Sequence, residues 1–228
     1  MKTFLVILSL TVVAADFAVG QGIVDFRNNS GQNVSTNNTL DIYGNPTGQS
    51  GSGLTFGNAA APQGYYYALL MQPYAGGPTN NPTASTLLSG GWLYTGAGAT
   101  NVVNAGRLGG GPTNVTSFND PIGQGNQFVI VGWSSNVATN GLAGWLTVSN
   151  SLSLGSWSTA NGLTGYFGVS QVGTGTGSGS LASAELLFGG ATGIQSGWNL
   201  YVVPTPEPST FAFAGLGALS LWSLRRRK

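Results

Sequence analysis

The sequence predicts a mostly β protein: a single β-sandwich or jelly-roll-like domain held between two apolar terminal segments. Three observations carry that expectation. Short apolar segments alternate with turn-rich stretches along the middle of the chain. Gly numbers 38 in 228 residues, and Asn, Ser and Thr supply most of the polarity. Capped helical periodicity is not evident outside the two terminal runs. Many short strands joined by Gly- and Pro-rich connections are how sandwiches and jelly rolls are built. With 41% hydrophobic and 11% aromatic residues, the chain can fill a core.

In chain order the candidate strands are residues 22–26, 40–43, 65–71, 92–94, 127–134, 144–148, 165–172, 184–188 and 199–203. "YYYALLM" and "QFVIVGW" are the clearest, being aromatic or β-branched with turn residues on both sides. Alternation along "YYYALLM" puts Tyr65, Tyr67, Leu69 and Met71 on one face and leaves Tyr66 on the other. "GNPTGQSGSG", "QPYAGGPTNNPT", "AGRLGGGPTN" and "VGTGTGSGSL" read as loops. A small residue precedes Trp92, Trp133, Trp145, Trp157 and Trp198, but the surrounding residues do not align, so no repeat is assigned.

The ends read differently. Lys2 precedes an apolar run from Phe4 to Ala15, and Ala18 and Gly20 fit a small-x-small cleavage site. Residues 1–20 are therefore expected to be a secretory signal peptide, with a mature start at Gln21 or, alternatively, after Ala15. At the other end "VPTPEP" is stiff and extended, because proline fixes its own φ and restrains the residue before it. An uncharged run from Ser209 to Leu224 follows. As a helix it would reach about 24 Å, slightly less than a bilayer core of about 30 Å. Snorkelling arginines or local thinning would make up the difference. Arg225, Arg226, Arg227 and Lys228 come next and act as a basic stop, since such cations stay cytoplasmic. The expected organisation is thus a signal peptide over 1–20, a β-rich exported domain over 21–203 and a sorting segment over 204–228.

Pro206, Glu207 and Pro208, then Ser209 and Thr210, the small-residue-rich "FAFAGLGALSLWSL" and the terminal "RRRK" resemble the PEP-CTERM sorting signal of exported bacterial proteins. The resemblance implies recognition and removal of the tail by exosortase, an integral-membrane cysteine protease. It also implies residence in the cell envelope or biofilm matrix, in association with exopolysaccharide. "VPTPEP" departs from the family pattern, which more often has valine directly before the motif. The motif has a physical logic too. Two prolines would hold Glu207 at a fixed depth outside the membrane, and Ala214, Gly215, Gly217 and Ala218 would let another helix approach closely. The same segment left uncut would be a plain tail anchor.

Charge restricts the chemistry of the body. Five of the seven cations lie at the termini, so 21–203 keeps Arg27 and Arg107 against Asp25, Asp41, Asp120 and Glu185. Nucleic-acid binding needs clustered cations and is not expected. His and Cys are absent, which removes the commonest general base, Ser-His and Cys-His couples, thiolate metal sites and disulfides. The body also lacks Lys, and its glycines form no nucleotide-binding pattern. No cofactor, metal site or catalytic residue is expected. Asp41 and Asp120 lack a calcium-loop spacing. Asp25 and Arg27 share a strand face and are expected to pair. Asn28, Asn33, Asn37 and Asn114 stand in N-x-Ser/Thr patterns and receive no role.

The reading that results is an exported, non-enzymatic envelope or matrix protein. Two alternatives stand beside it: a carbohydrate-binding β-sandwich module, and a glycan-acting hydrolase using an Asp/Glu pair. For the module, Tyr66, Trp92, Trp133, Trp145, Trp157 and Trp198 are the candidate faces for stacking on sugar rings, with Asn and Gln bonding hydroxyls.

Overall fold

The computed structural model describes residues 22–55, 64–115, 125–176 and 184–204. The expected signal peptide lies outside these residues. So do the sorting motif from Pro206 to Pro208, the apolar run and the basic end.

The described chain is mostly β, but it is one curled open sheet and not a sandwich. Its strands are β1 (Gly22–Arg27), β2 (Val34–Asp41), β3 (Ser52–Leu54), β4 (Tyr65–Pro73), β5 (Leu93–Asn101) and β6 (Leu108–Val115). They continue with β7 (Asn126–Ser134), β8 (Tyr166–Val169), β9 (Gly173–Gly175), β10 (Glu185–Leu186) and β11 (Trp198–Val202). Across the sheet the order is β10-β1-β6-β5-β4-β7-β8-β11-β2-β3, and β9 pairs with β7. The β1–β10 and β2–β11 pairs are parallel and the others antiparallel.

β4 and β7 form the spine, paired without a register shift from Tyr65↔Ser134 to Pro73↔Asn126. Both are buried on both faces, which explains their nearly continuous apolar sequences. Tyr65, Tyr67, Leu69, Met71, Phe128 and Ile130 face the inside of the curl, against Val24, Phe26, Trp198 and Leu200. Leu70, Val129, Val131 and Trp133 belong to a second core on the outer face. The expected alternation in "YYYALLM" is therefore present, with Tyr66 packed against the outer core.

The outer face is covered by a helix, α1 (Gly141–Leu154), which buries Gly144, Trp145 and Val148. Residues 144–148 were expected to form a strand, and the structure corrects this. The spacing of 144, 145 and 148 places all three on one side of a helix. Asn140 accepts from the N–H of Gly141, and Gly155, at φ 60°, donates to the carbonyls of Ser151 and Leu152.

Curling brings the β5–β6 turn against distant strands. Val34 N–H donates to the Gly106 carbonyl at 2.9 Å, and Gly106 N–H donates to the Thr55 carbonyl at 2.8 Å. Asn28 locks the same corner, donating to the carbonyls of Gly106 and Gln32 and accepting from Leu108 N–H at 2.8 Å. A single sheet rolled this way encloses its own core and does not require a second sheet opposite it. β8 and β9 together make one interrupted strand along β7. At the break Ser170 Oγ accepts from Ile130 N–H, while Ser170 N–H donates to the Ile130 carbonyl, both at 2.9 Å.

Candidate functional site

The six expected stacking residues separate by burial. Trp133, Trp145, Trp157 and Trp198 are core residues and present no open ring face. Trp133 donates its indole N–H to the Thr139 carbonyl at 3.1 Å, tying β7 to the start of the helix region. Trp157 lies 5.6 Å from Phe167, and Trp198 meets Tyr67 edge-on with ring centres 6.0 Å apart. These large rings serve packing. Tyr66 and Trp92 are both half-buried against the outer core. Trp92 lines a cleft.

That cleft has a volume of about 440 Å³. Gln72 and Gln127 stand directly opposite each other on β4 and β7 and form one wall. Asn80, Asn81 and Pro82 contribute from the loop that leaves β4, and Trp92 stands just before β5. The loop is tied down at several points. Asn81 Oδ1 accepts from Val172 N–H at 2.9 Å. Thr83 N–H donates to Thr86 Oγ1 at 2.9 Å, and Ser89 Oγ donates to the Thr86 carbonyl at 3.0 Å. Leu87, fully buried, pins the segment to the outer core. Gly90 makes room for the indole: a Cβ there would stand 2.7 Å from Trp92 Nε1 and 2.8 Å from Cδ1. None of the lining residues is charged.

Sequence reading included Trp92 among its stacking candidates and missed the four amide side chains. Gln72, Asn80 and Asn81 lay in a stretch read as a loop, and nothing local pairs Gln72 with Gln127 across 55 positions. Only the register of β4 against β7 joins them.

Asp25 and Asp41 are occupied elsewhere. Arg27 Nε donates to Asp25 Oδ1 at 2.8 Å and Nη2 to Oδ2, which forms the expected ion pair and pushes the guanidinium value upward. Asp41 stabilises its own turn. Its Oδ1 accepts from the N–H groups of Tyr43 and Asn45 at 2.9 and 2.8 Å, and Oδ2 accepts from Asn45 Nδ2 at 3.0 Å. Burial alone would raise the Asp41 value. The Asn45 side chain and the backbone donors outweigh it, and the carboxyl is held below its ordinary range. Glu185, on β10, is raised by burial. Asp120 lies outside the described residues. Among the described residues no three metal-ligating side chains cluster, and no helix is long and apolar enough to cross a membrane.

Fold and cleft together define a mostly β protein built around one curled sheet, with an uncharged groove of side-chain amides and one indole. Residues 204–228, which begin immediately after Val203, the last buried one among the described residues, match the family model of the PEP-CTERM protein-sorting motif. The motif indicates an exported, membrane-anchored precursor that is processed to the cell surface, and it implies processing by exosortase, itself a membrane protein. No curated protein and no solved structure matches the chain.

Proposed function

We propose that the mature protein is a non-enzymatic component of the cell envelope or extracellular matrix that associates with exopolysaccharide. In this reading residues 1–20 are a signal peptide, exosortase cuts near Pro206–Pro208, and the β-rich body is what remains outside. The observation that carries it is the sorting motif at 204–228, placed directly behind the last strand. A non-enzymatic role is supported by the separate engagement of Asp25 with Arg27 and of Asp41 with its own turn. Association with polysaccharide is supported by the surface destination and by a body whose polarity is almost entirely amide and hydroxyl.

Mass spectrometry of the protein recovered from the producing cells tests the processing. Mature chains beginning near Gln21 and ending near the Pro-Glu-Pro motif are expected. Recovery of the body solely with its Arg-Arg-Arg-Lys end intact would replace processing with a permanent anchor.

A further inference from the structure

We propose that the Trp92 cleft is a binding site for an uncharged, hydroxyl-rich sugar unit of a polysaccharide; this names the ligand class for the exopolysaccharide association proposed above and rests on it. The chemistry of the lining carries the proposal. Gln72, Gln127, Asn80 and Asn81 each bear an amide that both donates and accepts. A sugar hydroxyl also does both, so a ring of hydroxyls can be matched by a ring of amides. The indole of Trp92 supplies the apolar surface against which one face of the sugar ring packs. A cleft of about 440 Å³ falls within the size range of small-ligand sites.

The site is built before any ligand arrives. Gln72 and Gln127 project from adjacent strands of the rigid spine. Asn81 has its amide orientation set by the bond to Val172, and the Thr83–Thr86 turn holds the loop. Such preorganisation lowers the ordering cost of binding.

Charge decides against acidic glycans. A uronic acid or sulfated sugar in this cleft would lose hydration and meet no cation, which is costly for an ion. The two arginines of the body are remote from the cleft. Arg27 belongs to β1, three strands from β4 and about 14 Å away along the sheet. It is already paired with Asp25. Arg107 stands at the far end of β5 from Trp92, a strand length of roughly 25 Å.

Biolayer interferometry with the full chain in detergent, over immobilised dextran, glucomannan, galactan and alginate, tests this. Binding to at least one of the three neutral polysaccharides is expected, with none to alginate. Gln127→Ala and Trp92→Ala should each weaken it at least tenfold. Gly90→Ala, which displaces the indole without deleting it, should do the same, and Tyr43→Ala, outside the cleft, should have no effect. Gln127→Ala trims a half-buried side chain, so its result stands even if Trp92→Ala unfolds the chain. Neutral binding that all three cleft variants leave unchanged would overturn the site and leave the exopolysaccharide association standing. Preference for alginate would overturn the ligand class. Silence on every surface would remove the site and the association together.

Discussion

Tyr67 donates its hydroxyl to Asn101 Oδ1 at 2.7 Å, joining β4 to β5 inside the curl where both residues are buried. Thr55 Oγ1 lies 3.4 Å from the same hydroxyl and itself donates to the Val34 carbonyl. This short chain ties the spine to the strand that curls over it. Asn101 Nδ2 is buried with no partner, so the contact with Tyr67 is what satisfies the Asn101 amide. Tyr67→Phe would strand Oδ1 as well. A loss of about 1–3 kcal/mol is expected in denaturant unfolding, the cost of an unsatisfied buried polar group. A loss below about 0.5 kcal/mol would mean that water takes over the bond.

The same burial has an alkaline signature. Burial and the neighbouring Tyr166 push the Tyr65 phenol up to about 12, and burial drives Tyr67 higher still. An unfolded tyrosine ionises near 10. Both folded values are raised, so the stabilisation is complete below about pH 10 and is lost as pH climbs toward the folded values. Ultraviolet titration should show these two phenols ionising only as the sheet opens. Simultaneous ionisation of all tyrosines in the folded protein would contradict it.

Asp41 sets the acid limit in the opposite sense. Its folded value is depressed, so its contribution is present above about pH 4, the ordinary carboxyl range, and disappears as pH falls through the folded value. Asp41→Ala should cost roughly 1 kcal/mol at neutral pH, since it removes three accepted hydrogen bonds at a partly exposed turn. The difference between variant and parent melting temperatures should narrow on acidification. A constant gap down to low pH would show that the charge is irrelevant to the turn.

Gly144 lets α1 lie close to the chain that precedes it. A Cβ there would stand 1.7 Å from the Thr139 carbonyl oxygen and 3.1 Å from Trp133 Cζ2. Ala is normally the better helix former by about 1 kcal/mol. Here the clash should reverse the sign, with Gly144→Ala destabilising by about 1–3 kcal/mol as overpacking does. Thermal unfolding of the variant beside Ala143→Gly, an exposed change in the same turn, separates packing from propensity. Stabilisation by Gly144→Ala would show that α1 can lift without loss.

How much of this was legible depended on whether a segment's partners left a mark on its own residues. β4 and β7 are buried on both faces, and their apolar runs were unmistakable. β6 was hidden because "LGGGPTNV" has almost no strand preference; its pairing with β1 and β5 makes it a strand. β2 was hidden by "VSTNNTLD", where Val34 alone is buried and the expected segment began at Leu40. α1 was mistaken for a strand although Asn140 and Gly155 stood at its ends as readable caps. Trp92 was legible as an aromatic, whereas its place in the cleft was not.

The amino-acid order by itself determined the protein's destination and electrostatic character: the sorting motif is a linear signal, and charge composition needs no fold to be counted. Tertiary structure alone decided that one sheet would curl where two might have stacked. It also decided that Trp92 would line a cleft and that Gln72 would meet Gln127. The reason is physical: burial and cross-strand register arise from contacts between residues far apart in the chain, and short polar or glycine-rich segments carry little local trace of them.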